Sequence, residues 1–275
     1  MSASSPSLPK GSLAEKYLHM PWQPVDAGNR KVFRLERGGL IMKITERLES
    51  TEADALRFLN QQLPTLPIPQ LISSFVYAGK THTIMTELKG TRLCDSMLRD
   101  KESLQRIFEQ IQHCLRQLAS VQRPPGDRRV LQSASGDGLL HPCFPDDGLC
   151  GPYDTTIDFY KSLFGLPDPH TLSALAGGTD KVEAIIARDC VIWVHRDLRS
   201  HNVLVHNGQL SGLIDWEDCG WFPAHWQLWV LRSDGFPPDR AWSEYWRALQ
   251  FKDDSETAYK TLYDLCRQIR IVPGH

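Results

Sequence analysis

Two segments near residue 200 constrain the fold more than anything else in the chain: VHRDLRSHNVLV at 194–205 and LSGLIDW at 210–216. The first sets Asp197 and Asn202 five positions apart, directly behind the apolar run VIWV. The second ends an apolar strand on a carboxylate, Asp215, thirteen positions after Asn202. That interval is enough for a strand, a turn at HNG and a returning strand, so a hairpin should bring Asp215 next to Asn202. An ionised carboxylate at the end of an apolar strand is costly unless it is paired or bound to a cation, and a magnesium role explains a placement that packing alone would not. Asp197, in a turn after a buried strand, is placed to orient or deprotonate a hydroxyl, and Asn202 offers magnesium a neutral oxygen.

Upstream, KVFRLERGGLIMKITER reads as two strands joined around Glu36, Arg37, Gly38 and Gly39. Alternation puts Leu40, Met42 and Ile44 on one face and Ile41 with Lys43 on the other. STEADALRFLNQQL is a short amphipathic helix with Leu56, Leu59 and Leu63 on one stripe together with Glu52, and with Thr51 and Asp54 spaced as a cap. LISSFVYAGKTHTIMTEL gives two more strands about Gly79 and Lys80. The first part of the chain is thus a small sheet with one helix, preceded by a dozen flexible residues rich in Ser and Pro. Beyond it, ESLQRIFEQIQHCLRQLASV keeps a helical period through Leu104, Ile107, Phe108, Ile111, Leu115 and Leu118. Residues 122–152, dense in Pro, Gly and Asp, form a connection long enough to be functional or mobile. Helical patterns resume in TTIDFYKSLF and KVEAIIARDC. Six of the eight tryptophans fall between Trp216 and Trp246, a clustering expected of core packing rather than of a recognition surface.

The bulk properties exclude several classes of function. A chain of 275 residues is long enough for two lobes and should bury roughly three quarters of its unfolded surface. With 41% hydrophobic and 23% charged residues and no long apolar run, no membrane partner is expected. A net charge of -2 and a pI near 6.5 give no basic excess, so no nucleic-acid partner is expected either. Seven cysteines without a CxxC pair, behind an N-terminus with no apolar signal core, point to a reducing cytoplasm.

Taken together, Lys43 in LIMKI, IPQLISSF, IMTELKGTRL, HRDLRSHNVLV and GLIDWEDCGWFPAHW resemble the aminoglycoside phosphotransferase and choline kinase-like family, over about residues 28 to 232. The resemblance implies an α+β, protein kinase-like fold of two lobes: a β-rich nucleotide-binding lobe at 13–87 and a mainly helical lobe at 88–275. It implies transfer of the γ-phosphate of ATP, with Mg²⁺, to a hydroxyl of a small molecule. Lys43 would bind the ATP phosphates and Glu52 would pair with it, although Glu49 and Asp54 are close rivals for that pairing. Met85, Thr86, Glu87 and Leu88 would form the adenine hinge, Asp197 would be the catalytic aspartate, and Asn202 and Asp215 would bind magnesium.

The departures from the pattern carry their own expectations. VDAGNRKVF replaces a GxGxxG loop, so phosphate clamping rests on a looser turn around Gly28. Arg196 stands where the family more often has a small residue; an arginine there in protein kinases answers to a phosphorylated activation segment, which leans toward a protein-kinase reading. Against that reading, no Ala-Pro-Glu block follows IDWE. The weak glycine loop motivates a pseudokinase scaffold as the alternative from another class, opposed by the intact set of Lys43, Asp197, Asn202 and Asp215. His195 is expected to pack and hold its loop, and His195, His201 and His206 lack zinc spacing. Glu217, in place of the usual glycine, and Asp218 either line an acceptor site for amines or are solvated acids. Gln227 stands where the family often has glutamate.

Overall fold

Tight turns and a regular alternation of side chains build the first lobe of the protein, seen in a computed structural model that describes residues 11–26, 29–46, 51–94, 96, 101–140, 148–165, 181–233, 239–251 and 253–269. Residues 1–10 of the flexible segment expected at 1–12, the turn at Gly28 and residues 141–147 of the long loop lie outside the described residues. A helix α1 (Leu13–Leu18) precedes an antiparallel sheet of β1 (Trp22–Asp26), β2 (Asn29–Leu35), β3 (Leu40–Thr45), β4 (Leu71–Tyr77) and β5 (Lys80–Thr86), in the order β1-β2-β3-β5-β4. Helix α2 (Thr51–Gln62) connects β3 to β4.

The expected hairpin pairs Val32 of β2 with Lys43 of β3. The alternation along β3 sorts its side chains between two cores. Met42 packs with Tyr17 and Ile84, joined by Leu40 and Ile44, under α1, whereas Ile41 joins the larger core shared with the second lobe. Helix α1 and β1 escaped the sequence reading. The helix has only six residues, capped by Ser12, whose hydroxyl accepts the Glu15 N–H, and its place depends on Tyr17 finding the sheet. Strand β1 contains Pro24, which is tolerated because β1 lies at the sheet edge, and the pairing slips between Pro24 and Asp26. In α2, Thr51 already lies in the first turn and Asp54 pairs with Arg57, so the expected cap between Thr51 and Asp54 does not form.

The second lobe comprises β6 (Thr91–Arg92), α3 (Lys101–Ala119), β7 (Leu139–Leu140), β8 (Leu149–Cys150), α4 (Thr156–Leu163), α5 (Lys181–Arg188), β9 (Val191–Val194), β10 (Val203–His206), β11 (Gln209–Leu213), β12 (Gly220–Pro223), α6 (Ala224–Arg232), α7 (Arg240–Ala248) and α8 (Asp254–Ile269). Helix α3 buries Ile107, Phe108, Ile111 and Leu118, with Leu104 and Leu115 partly covered, as its period requires. The β10–β11 hairpin turns on Asn207 and Gly208, both with positive φ (52° and 71°), the pairing of residues that suits a tight turn between twisted strands.

The described part of the 122–152 connection is pinned rather than loose. The Asp127 carboxylate accepts from the Arg129 backbone and guanidinium and from the Gln132 amide, while Val130 bridges to Tyr153 and Gln132 to Trp221. All six tryptophans of the 216–246 stretch are buried. Arg232 ties the last three helices together: its guanidinium donates to the Trp246 and Leu249 carbonyls and to both oxygens of Glu256. No helix among the described residues is long and apolar enough to cross a membrane. The result is the α+β arrangement of a β-sheet lobe and a helical lobe that the sequence led one to expect.

Candidate active site

Lys43 points from β3 into the cleft between the lobes, where three carboxylates meet it. Its Nζ lies 2.7 Å from Asp215 Oδ1, 2.8 Å from Glu217 Oε2 and 3.2 Å from Glu52 Oε2. Among the acids that compete for Lys43, Asp54 is engaged by Arg57, and Glu49 lies outside the described residues. Glu52 also joins the lobes through its other oxygen, which accepts the Trp216 N–H at 3.1 Å. Helix α2 is clamped by the second lobe as well, because Phe58 stacks on Trp193 with ring centroids 5.0 Å apart.

Burial alone would lower the Lys43 pKa, but attraction to Glu52, Asp215 and Glu217 outweighs it and holds the ammonium well above its ordinary value. The Glu52 carboxyl is raised as well: burial, reinforced by Asp215 and Glu217, outweighs Lys43. The rise favours the charged form of Lys43 and the neutral form of Glu52.

Asp215 adopts φ +65°, a left-handed conformation that few residues other than Gly, Asn and Asp accept readily. It stands at the end of β11, as expected, and Ile214 N–H donates to the Asn202 carbonyl at 3.0 Å. Asn202 Nδ2 donates to the Asp197 carboxylate at 2.9 Å and to its carbonyl at 2.8 Å, which leaves the amide oxygen as the atom available to a cation. Arg199 Nε donates to Asp197 Oδ1 at 3.1 Å, and His201 Nε2 lies 3.4 Å from Oδ2. Burial would raise the Asp197 carboxyl, but the His201 hydrogen bond and the Arg199 guanidinium hold it below the usual carboxylate range.

His195 is fully buried. Its Nε2 donates to the Ile214 carbonyl at 3.0 Å while its Nδ1 accepts the Asp197 N–H at 3.3 Å, so it joins the loop carrying Asp197 to the segment carrying Asp215. Burial keeps its pKa low, in line with a neutral, packing imidazole.

Met85, Thr86, Glu87 and Leu88 run along the back of the cleft. Glu87 fastens this stretch to the β2–β3 turn: its N–H donates to the Gly39 carbonyl, and its carboxylate accepts from Gly39 N–H and pairs with Arg34. A cavity of about 280 Å³ lies against it. Val32, Ile41, Met85 and Leu204 line its apolar side, and Lys43, Glu52, Asn202 and Asp215 its polar side. Such a lining suits a molecule with a flat apolar end and an anionic, metal-bound end. Among the described residues no group of three or more His, Cys, Asp or Glu is arranged to hold a metal. Asn202 and Asp215 alone fit magnesium, which commonly takes one or two carboxylates and completes its shell with water and substrate phosphates.

Three residues are placed otherwise than the sequence suggested. Arg196 donates to the Leu140 carbonyl at 2.9 Å and pairs with Asp218 at 3.4 Å, so it is engaged inside its own lobe. Asp218 is buried and Glu217 sits on Lys43; neither is a solvated acid. Gln227 is the residue that sequence reasoning missed: its side chain accepts the His195 N–H and donates to the His195 carbonyl. The only signal was its departure from glutamate.

Known proteins are similar to this chain in sequence and in fold. The aminoglycoside 3'-phosphotransferase of Enterococcus faecalis is 26% identical over 217 residues, covering 74% of this chain and 76% of the relative. The hygromycin-B 4-O-kinase of Escherichia coli is 24% identical over 195 residues, 66% of this chain and 52% of the relative. In fold, the chain is similar to a thermostable mutant of aminoglycoside phosphotransferase APH(4)-Ia in ternary complex with AMP-PNP and hygromycin B, with a TM-score of 0.63 at 16% identity over 94% of this chain and 90% of the other. It is also similar to aminoglycoside phosphotransferase APH(3'')-Id from Streptomyces rimosus in complex with ADP and streptomycin, with a TM-score of 0.56 at 19% identity over 92% and 95% of the two chains. The model of the phosphotransferase enzyme family matches residues 23–261, and the chain belongs to that family.

Proposed function

We propose that the enzyme transfers the γ-phosphoryl group of ATP, taken as its magnesium complex, to a hydroxyl of a small molecule. The observation that supports this most is the contact across the cleft between Lys43 and Asp215, 2.7 Å, beside Asn202 and Asp197. In this reading Lys43 binds the nucleotide phosphates and Glu52 fixes Lys43, while Met85, Thr86, Glu87 and Leu88 border the adenine. Asn202 and Asp215 hold magnesium, which when bound neutralises the phosphoryl oxygens. Asp197 accepts a hydrogen bond from the acceptor hydroxyl and aligns it for in-line attack.

Residues 13–87 then form the nucleotide-binding lobe and residues 88–275 the lobe that presents the acceptor. A cytoplasmic location belongs to the same reading, supported by seven cysteines without a CxxC pair. The relatives are named for aminoglycosides and hygromycin, and these are the first acceptors to try.

Calorimetric titration with ATP, with and without Mg²⁺, on the wild type and on Asp215→Asn tests the reading. Asparagine accepts the left-handed backbone, so the variant removes charge without backbone strain. Magnesium-dependent binding that weakens in the variant supports the proposal and justifies an ADP-release screen of hydroxyl acceptors. A folded wild type that binds no nucleotide overturns it in favour of a scaffold.

A further inference from the structure

A second cavity, of about 480 Å³, opens in the helical lobe between α3, β9, α6 and residues 249–255. It is larger than the cleft cavity of about 280 Å³ and shares no lining residue with it. Neither Asp197 nor Asn202 borders it, so it is not the place where a hydroxyl would meet the γ-phosphate. Its walls are mainly apolar: Leu115 from α3, Ile192 and Trp193 from β9, Leu228 and Leu231 from α6, and Phe251 from the segment before α8. Small-molecule sites commonly combine this size and lining with a few polar groups that fix orientation. Here those groups are unequal. The Asp253 carboxylate is engaged, accepting from the Ser255 hydroxyl and from the Glu256 N–H at the start of α8, and the Gln112 amide donates to the Tyr245 hydroxyl. Arg116, exposed on α3, has neither a hydrogen bond nor an ion pair for its guanidinium among the described residues. It is the cation that an occupant can meet.

We propose that this cavity is a second small-molecule site, which takes an aromatic acid with its ring among the apolar walls and its single negative charge on Arg116. Two lining residues connect it to the cleft. Trp193 stacks on Phe58 of α2, the helix that carries Glu52, and Gln227 holds the His195 backbone at the head of the loop that carries Asp197. An occupant therefore braces the strand and the helix from which that loop hangs. The inference does not depend on nucleotide binding, because the cavity and the cleft have separate walls.

The test is fluorescence titration of the full chain with anilinonaphthalene sulfonate, an aromatic acid, and with phenylnaphthylamine, its uncharged counterpart. Wild type, Ala119→Trp and Arg116→Gln are compared. Both positions are exposed on α3, so the variants should fold, which thermal denaturation verifies. The sulfonate should saturate a single site on the wild type. Ala119→Trp, which fills the mouth of the cavity, should weaken both probes about ten-fold or more. Arg116→Gln should weaken the sulfonate about five-fold or more and leave the neutral probe within about two-fold. On the wild type alone, the sulfonate should slow hydrogen exchange in the peptides carrying Leu115 and His195. The inference is overturned by the absence of saturable binding, by binding that Ala119→Trp leaves unchanged, or by an equal loss of both probes in Arg116→Gln. Protection confined to other peptides overturns it as well, whatever the variants do.

Discussion

Gln227 holds both polar groups of the His195 backbone at once: its Oε1 accepts the His195 N–H at 3.0 Å and its Nε2 donates to the His195 carbonyl at 3.3 Å. Only an amide can do both. Glutamate would accept the N–H but set a second carboxylate oxygen against the carbonyl, which would keep only the Leu198 N–H at 3.3 Å. Gln227→Glu should therefore lower stability by about 1–3 kcal/mol, the cost of burying a carboxylate oxygen against another acceptor, and turnover should fall with it because Asp197 hangs from the same loop. Urea denaturation with steady-state kinetics checks both.

Asp197 contacts neither Lys43 nor the apolar wall of the cavity, so its charge should matter to transfer far more than to nucleotide affinity. Asp197→Asn is expected to keep ATP affinity within about two-fold while reducing turnover by about 10²- to 10⁴-fold. Equal activity in the two proteins would remove Asp197 from the reaction.

The Arg232–Glu256 pair should set part of the acid limit of stability. Burial would raise the Glu256 carboxyl, but hydrogen bonds from Arg232 outweigh it and hold it below its ordinary value. A depressed folded pKa means the contribution is complete above the unfolded value, about 4.3, and is lost as pH falls through the folded one. Glu256→Gln should flatten the fall of Tm between neutral pH and that acid range. Arg232→Met, which leaves the Glu256 carboxylate only Lys260 and the Phe251 N–H and removes the donor from the Trp246 and Leu249 carbonyls, should cost about 3–5 kcal/mol at neutral pH.

Gly90 joins the lobes with φ +135°, and a Cβ there would stand 2.6 Å from the Val205 carbonyl oxygen. Backbone conformation and space both oppose a side chain. Gly90→Ala should lower stability by about 1–3 kcal/mol in thermal denaturation, whereas Gly79→Ala, which meets nothing within 4 Å, should show only the cost of its positive φ.

Much of this site was legible because its residues lie on regular elements. Alternation alone put Lys43 opposite the face that packs under α1, and helical phase put Glu52, Leu56 and Leu59 on one buried stripe. The spacing from Asn202 to Asp215 was fixed by a hairpin whose turn residues, Asn207 and Gly208, have their own chemistry. What escaped depends on partners far away in sequence. Tyr17 is buried only because Met42 and Ile84 receive it, so a six-residue helix carries no local sign of its role. Glu217 reads equally as an acid of an acceptor site or as a solvated one until the fold sets it on Lys43. Gln227 reads as one helical residue among many until β9 delivers His195 to it.

The contact between Lys43 and Asp215 spans 172 positions of the chain, and that between Glu52 and Trp216 spans 164. Contacts of such sequence separation carry a large loop-closure cost and form late relative to hairpins and helices. During synthesis the sheet carrying Lys43 is complete more than a hundred residues before its partners leave the ribosome. The cleft is thus a seam closed at the end of folding, and nucleotide binding reports that closure: in a refolding experiment it should appear only after the helical signal is complete.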